Sequence, residues 1–248
     1  MPEGATIKVR PGLYRESLVL DKDVEIIGEG ERAEIVLETT GAHCITMATD
    51  RAAVRNLTLR QRSQPSDEKG CVHIPQGELL LEDCDLTSDS LSCIEICNAG
   101  TAPIIRRCAI HDSASAGVYV HSQGEGFLED CQIYANAYAG VEISTGSNPT
   151  LRGCRIALNR DGVVIRENST GLLQDCEIEY NAEAGVWIQE SGKPTLRRCK
   201  ITGNVMQAIY VVNGGRGTVE NCDLRGNTQG AWFIDASSSV TRLNNLEE

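Results

Sequence analysis

The sequence has few aromatic residues, with two Phe, two Trp and six Tyr among 248 residues. An aromatic-rich core is therefore excluded, although 41% of the chain is hydrophobic. We expect an interior built mainly from stacked Val, Ile, Leu and Cys side chains.

Basic residues are also scarce, because 23 Lys and Arg stand against 35 Asp and Glu, a formal net charge of −12. This balance argues against nucleic acid and membrane partners, which need a basic footprint, and disfavours a polyanionic ligand such as pectate. No stretch approaches the roughly 18 apolar residues of a membrane span. The opening MPEGATIKVRPG has no apolar signal-peptide core, so a cytoplasmic protein is expected.

Cysteine, in contrast, is abundant and periodic. Seven of the eleven cysteines recur at intervals of 24, 23, 23, 22, 23 and 23 residues: Cys84, Cys108, Cys131, Cys154, Cys176, Cys199 and Cys222. Each lies in a similar phrase, such as LEDCQI or LRRCKI. A constant period of this size is typical of a solenoid, in which each turn contacts only its neighbours.

The cysteine ladder is expected to be structural. Neighbouring rungs of a parallel ladder lie about 4.8 Å apart with parallel side chains, which is unfavourable for a relaxed disulfide. A linear stack also cannot supply four tetrahedral ligands to zinc. We therefore predict reduced, buried cysteines in the inner wall, with no metal and no cofactor.

A second phrase gives the orientation of the first strand in each repeat. CVHI, CIEI, GVYV, GVEI, GVVI, GVWI, AIYV and GAWF alternate with period two, so their second and fourth residues should point inward and the third outward. After the last five ladder cysteines an asparagine recurs in the turn, and it is expected to adopt a left-handed conformation or to bridge neighbouring coils. These asparagines are Asn136, Asn159, Asn181, Asn204 and Asn227.

Three short strands per repeat, with no helical periodicity between them, predict an all-β fold: a single-stranded parallel β-helix of about ten coils, each of about 23 residues. The whole chain, 1–248, is expected to form one domain. Residues 1–60 form N-terminal capping coils with Leu57 in the cysteine slot, 61–70 a protruding loop, and 71–235 the regular coils. Residues 236–248 form a C-terminal tail or cap, with Leu243 in the same slot; end-to-end homodimerisation and a longer solenoid are left open.

These repeats resemble a known family. CQIYANAYAGVEISTGSNPTLRGCRI and CEIEYNAEAGVWIQESGKPTLRRCKI are similar to the CASH-type repeats of the right-handed β-helix in F-box-only ubiquitin-ligase subunits, within the pectin-lyase-like superfamily. That family often has Asn where this chain has the inward cysteine, and no F-box is present. The resemblance implies a right-handed, pectin-lyase-like helix that recognises sugars or proteins, in a superfamily that also includes enzymes.

The outward position of the first strand marks a candidate binding face, on which saccharide lies in the resembling enzymes. Its column is expected to read His73, Glu95, Tyr119, Glu142, Val164, Trp187, Tyr210 and Trp232, and the next column Cys97, His121, Ser144, Arg166, Gln189 and Val212. Exposed aromatic residues frequently anchor sugar rings or partner side chains, although such a column can also merely stiffen a sheet. We predict ligand contacts from Tyr119, His121, Glu142, Arg166, Trp187, Gln189, Tyr210 and Trp232.

The favoured function is therefore a non-catalytic recognition module for a glycan or a partner protein. The alternative is a polysaccharide-active enzyme that uses Glu95 and Glu142, whose separation of two coils is compatible with an inverting glycosidase. The acid and histidine clusters of polygalacturonases, pectate lyases and epimerases are not found in the sequence, so no catalytic residue is assigned. A structural spacer is a third alternative, and Cys97 is the one cysteine considered for reactivity.

Overall fold

Each turn of the chain adds one short strand to each of three parallel sheets. A computed structural model describes residues 4–62 and 69–248. Within these residues the three sheets contain eleven, nine and ten strands, and every strand pairs with the equivalent strand of the neighbouring turn. The predicted parallel β-solenoid is thus confirmed.

Sheet A consists of β1 (Ala5–Val9), β4 (Val24–Gly28), β7 (Arg51–Arg55), β10 (Glu78–Glu82), β13 (Ile104–Arg106), β16 (Phe127–Glu129), β19 (Thr150–Arg152), β22 (Leu172–Gln174), β25 (Thr195–Arg197), β28 (Arg216–Glu220) and β30 (Ser239–Leu243). Sheet B consists of β2 (Gly12–Arg15), β5 (Ile35–Thr40), β8 (Thr58–Arg62), β11 (Asp85–Ser88), β14 (Ala109–Ser113), β17 (Gln132–Tyr134), β20 (Arg155–Ala157), β23 (Glu177–Glu179) and β26 (Lys200–Thr202). Sheet C consists of β3 (Leu18–Leu20), β6 (Ile45–Met47), β9 (Val72–Ile74), β12 (Ile94–Cys97), β15 (Val118–His121), β18 (Ala139–Ile143), β21 (Asp161–Ile165), β24 (Val186–Ile188), β27 (Ile209–Val211) and β29 (Trp232–Ile234). One 3-10 turn, Arg32–Glu34, precedes β5. No helix among the described residues has the length and apolar character needed to span a membrane.

The seven ladder cysteines lie at the corner between sheets A and B, where their predicted burial is confirmed. All eleven are buried and free. A typical rung is Cys154, whose thiol faces the Leu128 carbonyl oxygen at 3.5 Å, 26 residues earlier in the chain. The thiols thus fill the inner wall and also donate to backbone groups of the preceding coil.

Strand pairing shows which residues occupy the cysteine slot in the coils beyond the two ends of the ladder. Leu57 precedes Thr58, which pairs with Asp85, so Leu57 is in register with Cys84 and is buried as predicted. The prediction for Leu243 is wrong. Five continuous pairs between β28 and β30 place Leu243 opposite Glu220, so the cysteine slot of the last coil falls two residues later, at an asparagine.

Two segment boundaries also differ from the expected ones. The predicted C-terminal tail contains β30, which continues sheet A. The predicted loop begins later than residue 61, because Gln61 and Arg62 belong to β8; residues 63–68 of that loop lie outside the described residues.

The asparagines of the turns form a second buried ladder, between sheets B and C. Asn159 Nδ2 donates to Asn181 Oδ1 at 3.2 Å and to the Ile133 carbonyl oxygen at 3.3 Å. The predicted bridging between coils is therefore confirmed. The left-handed conformation instead belongs to the residue before each asparagine, for example Leu158 at φ 59° and Tyr180 at φ 55°. That residue makes the turn and leaves the asparagine free to point inward.

Candidate binding face on sheet C

The outer face of sheet C carries the predicted column of side chains, with one correction. Strand pairing aligns the residues in this order: His73, Glu95, Tyr119, Glu142, Val164, Trp187, Tyr210 and Phe233. Trp232 pairs with Ile209, an inward residue, so its expected place in the column is wrong. In most coils a glycine precedes the first strand, and Gly230 resembles that glycine. In the last two coils, however, alanine occupies this position, as Ala208 and Ala231. The expected alignment of the last coil was therefore one residue too early.

Three aromatic rings form one end of this face, the aromatic strip Trp187, Tyr210 and Phe233. Trp187 meets Tyr210 edge to face at 5.8 Å between ring centroids, and Tyr210 stacks on Phe233 at 4.7 Å. Phe233 is 42% exposed. Trp187 also packs on Val164, which is fully buried although it points outward. The strip therefore combines an exposed apolar end with a firmly packed base.

Trp232 has a different environment from the aromatic strip. Its ring packs against the hydrophobic core, and the Arg242 guanidinium lies over it at 4.3 Å from the centroid. It closes the last coil and does not line the outer face.

The middle of the face is polar, and its charges are paired. Arg166 donates to Glu142 Oε1 through Nε at 3.0 Å and Nη2 at 2.9 Å, and it also pairs with Glu167. Tyr119 places its hydroxyl 3.2 Å from the Ser144 hydroxyl. Glu142 is almost completely buried, so this pair is a fixed feature of the face. Gln189 follows Ile188, in the column next to Trp187, and is half-buried.

Two histidines hold a carboxylate at the other end of the face. Glu95 Oε2 lies 2.7 Å from His73 Nδ1, and Glu95 Oε1 lies 2.9 Å from His121 Nε2. Hydrogen bonds from His121 and His73 hold the pKa of the Glu95 carboxyl well below its usual range. Tyr119 stacks on His121 at 4.5 Å, which fixes the orientation of that ring. Cys97 is buried beside them, and this burial raises the pKa of its thiol to about 11.

One buried acid near the face was missed from the sequence. Asp161 has no exposed surface, and burial raises the pKa of its carboxyl to about 6. Its Oδ1 accepts from the Ala184 amide at 3.1 Å, while Oδ2 has no partner within the described residues. The signal was present in the alignment, because Asp161 replaces the small residue found in the equivalent Ala139 and Ala184.

The geometry does not favour acid–base catalysis by Glu95 and Glu142. A general acid at neutral pH needs a raised pKa, and the pKa of Glu95 is lowered. Glu142 is committed to Arg166, and Tyr119 lies between the two carboxylates in the column.

Comparisons with known proteins bear on the fold. The family model described as the right-handed β-helix region matches residues 43–158 and 92–246. A search of curated protein sequences gives no match.

Three solved structures are similar to this chain. One is the mannuronan C-5 epimerase AlgE4 A-module of Azotobacter vinelandii, with 15% identity and a TM-score of 0.67 over 98% of this chain and 86% of that one. ORF18 of Geobacillus virus E2 has 11% identity and a TM-score of 0.65 over 98% of this chain and 52% of that one, so the chain spans about half of that protein. Pectate lyase Pel9A has 13% identity and a TM-score of 0.51 over 97% and 70%. At these identities the likeness shows the fold alone.

Proposed function

The chain belongs to the right-handed β-helix family, and on that premise we propose that it binds a neutral glycan on the outer face of sheet C without modifying it. The observation that carries this proposal is the stack of Phe233 on Tyr210 beside Trp187. Aromatic rings offer an apolar surface to the C–H face of a sugar, and tyrosine adds a polar tip. Successive rings along the solenoid would contact successive sugar residues.

Two considerations favour a glycan over a protein partner. Two similar solved structures bear the names of enzymes that act on polysaccharides, mannuronan epimerase and pectate lyase. The strip is also narrow, since it is one side chain wide and extends over three coils. The net charge of −12 favours a neutral glycan over polyanions such as mannuronan or pectate.

The polar part of the face supplies specificity in this proposal. Arg166 is held rigidly by the almost completely buried Glu142, so it presents a fixed donor beside the aromatic strip. Gln189 and Tyr119 add neutral hydrogen-bonding groups, and His121 borders the same region. Neutral sugars with several hydroxyl groups match such a surface.

We also propose that the repeats are of the CASH type, similar to those of F-box-only ubiquitin-ligase subunits. This assignment rests on the repeated AGVxI and NPTLR phrases and favours recognition over catalysis. A reducing, cytoplasmic location is proposed for the same protein, with support from eleven free cysteines.

The test is a binding survey by isothermal calorimetry with soluble neutral polysaccharides (a β-glucan, a xylan and a mannan) and two anionic ones (alginate and pectate). We expect a neutral polymer to bind, and Phe233→Ala to weaken that binding about tenfold, the loss of roughly 1.4 kcal/mol of stacking. Tyr180→Ala is the matched control, because Tyr180 is 57% exposed but follows β23 of sheet B and is not part of the column on sheet C.

Three outcomes would contradict the proposal. Exclusive binding of anionic polymers would contradict the charge argument, and equal loss in both variants would contradict the assignment of the face. Release of new reducing ends or unsaturated products from a bound polymer would identify an enzyme instead.

A further inference from the structure

The histidine end of sheet C, where Glu95 lies four coils from Trp187, carries a second cluster of side chains, which shares His121 with the border of the proposed glycan site. Three adjacent strands, β9, β12 and β15, bring four side chains with metal-binding atoms together there. Glu95 pairs with His73 in one column, and Cys97 pairs with His121 in the next. Glu95 and Cys97 are two residues apart on one strand, so both face the same side. His73 and His121 thus lie on the two outer strands, on either side of Glu95 and Cys97.

The ligand atoms are already close to one another. Within the described residues, the ring nitrogen of His73, a carboxylate oxygen of Glu95 and Cys97 Sγ all lie within 4.8 Å of one another. His121 Nε2 joins the group through Glu95 Oε1, at 2.9 Å. Three of the four histidines of the chain meet in this region, because His43 stacks on His73 at 4.9 Å.

Cys97 differs from the other cysteines in a way that suits a ligand. The thiols of the inner wall donate to backbone carbonyl groups, as Cys154 does. Cys97 faces the opposite side of the sheet, and its sulfur has no hydrogen-bond partner among the described residues. It is also only 6% exposed, so a metal bound there would be shielded from water.

We propose that one zinc ion binds at this place, to four ligands: His73, Glu95, Cys97 and His121. Imidazole nitrogen, carboxylate oxygen and thiolate sulfur are the ligands that zinc accepts in tetrahedral sites. One carboxylate and one thiolate balance the charge of Zn²⁺, so the occupied site is neutral and suits partial burial. This proposal departs from the expectation of no metal and no cofactor, which was argued from the cysteine ladder. Cys97 lies outside that ladder, and no ladder cysteine is a ligand here.

The surroundings hold the ligands in place. His121 Nδ1 lies 2.9 Å from the Ser122 hydroxyl, which orients the ring so that Nε2 faces Glu95. Such a partner on the second ring nitrogen is usual for histidines that bind metals. His121 is also stacked on Tyr119, as His73 is on His43.

Metal binding requires His73 and His121, which contact different oxygens of Glu95, to turn toward one metal position. Metal–ligand bonds of about 2.1 Å at a tetrahedral angle place neighbouring N and O ligands about 3.4 Å apart. The His73–Glu95 contact of 2.7 Å would therefore open by about 0.7 Å and the His121–Glu95 contact of 2.9 Å by about 0.5 Å. In the absence of metal, the two histidine hydrogen bonds to Glu95 keep the same side chains assembled.

The test uses the full chain, freed of metal with a chelator and titrated with Zn²⁺ and separately with Co²⁺. We expect one equivalent of Zn²⁺ to bind in competition with a chromophoric chelator. We also expect Co²⁺ to give the absorption of a tetrahedral site, with a thiolate-to-cobalt charge-transfer band. Cys97→Ser should abolish that band, and Cys97→Ser and His73→Ala should each weaken Zn²⁺ binding more than about tenfold.

His111→Ala is the matched control. His111 also lies between two carboxylates, at 2.7 Å from Asp112 and 3.3 Å from Asp85, but it belongs to β14 of sheet B and not to the outer face of sheet C. This variant should keep the stoichiometry and the cobalt spectrum. Circular dichroism of each variant checks that it is folded, and Glu95→Gln, which keeps the size of the side chain, gives a second ligand substitution if His73→Ala does not fold.

The proposal is overturned by any of three results: no binding of Zn²⁺ at one equivalent, a charge-transfer band that survives Cys97→Ser, or equal loss of affinity in His111→Ala. In those cases Glu95 and the two histidines form a hydrogen-bonded structural cluster only.

Discussion

Phe233 stacks on Tyr210 with ring centroids 4.7 Å apart and planes only 13° apart. The neighbouring Trp232, one residue earlier, points to the other side of β29 and packs against the core under Arg242. Two adjacent aromatic residues of the last strand of sheet C therefore have different structural roles. One extends the binding face, and the other closes the end of the hydrophobic interior.

Substituting Trp232 and Phe233 one at a time should affect stability and glycan binding separately. Trp232→Ala should lower the free energy of unfolding by about 2 kcal/mol, below the usual range for a fully buried Trp, because its ring is only partly buried. Glycan affinity should stay within twofold of the parent. Phe233→Ala should show the opposite pattern, with unfolding changed by less than about 0.5 kcal/mol and affinity lowered. Urea unfolding measures the stability and calorimetry the glycan affinity. If one of the two variants showed the larger loss in both assays, the assignment of Phe233 to the binding face and Trp232 to the core would be contradicted.

The regular coils could be predicted from the sequence because each coil repeats the packing of the last. Period-two alternation around the ladder determines which residues point inward, and a phrase such as GVEI is therefore sufficient to place Glu142 on the outer face. The end coils were harder to align. Gly230 and Leu243 each resemble a repeat position without occupying it, and only the strand pairing resolves the register.

The asparagine ladder should be a major source of stability. Asn181 is fully buried; it accepts from the Asn159 backbone amide at 3.0 Å and donates to Asn204 Oδ1 at 2.9 Å. Asn181→Ala would leave several buried groups without partners, so we expect a loss of about 3 kcal/mol in the free energy of unfolding. Asn148→Ala is the control, because Asn148 is exposed and should change stability by a few tenths of a kcal/mol. Comparable urea midpoints for the two variants would contradict the role of the ladder.

The candidate sites could be predicted only in part. The column of outward residues follows from the alternation, so His73, Glu95 and His121 could be placed on one face. Their mutual hydrogen bonds could not, because they depend on side-chain rotamers across three strands that lie apart in the sequence. Burial of Asp161 was missed although its alignment with Ala139 and Ala184 was visible, because acidic residues are ordinarily exposed.

Asp161 should make stability depend on pH. Burial raises the pKa of this carboxyl from 3.8 to about 6, with Glu183 adding to the rise and Arg160 opposing it. The folded state therefore binds the proton more tightly than the unfolded state. As the pH rises from about 4 to about 6, the folded state loses up to about 3 kcal/mol relative to the unfolded state, and the full cost applies above pH 6.

Asp161→Asn removes this titration and keeps an oxygen for the Ala184 amide. We expect the variant to be more stable than the parent at pH 8 and to approach it in stability near pH 4. Urea unfolding at several pH values between 4 and 8 measures the difference. A constant difference over that range would show that Asp161 is not the group that titrates.

The cysteine slot should accept asparagine, because the chain already contains one there. Asn245 follows Cys222 in this slot; its Oδ1 accepts from the Cys222 amide at 2.9 Å, and its Nδ2 donates to the Val219 carbonyl oxygen at 2.9 Å. That carbonyl lies 26 residues earlier, the same separation as between Cys199 Sγ and the Leu173 carbonyl that accepts from it. Cysteine and asparagine therefore meet the same backbone groups in this fold.

Cys222→Asn should consequently fold, with a free energy of unfolding within about 1 kcal/mol of the parent. Cys222→Leu fills the slot with a larger apolar side chain that has neither donor nor acceptor, and we expect it to cost about 1–3 kcal/mol. Urea unfolding of the two variants distinguishes hydrogen bonding from simple filling of space. If leucine is tolerated better than asparagine, the thiols act as apolar filler and their contacts with backbone carbonyl groups contribute little to stability.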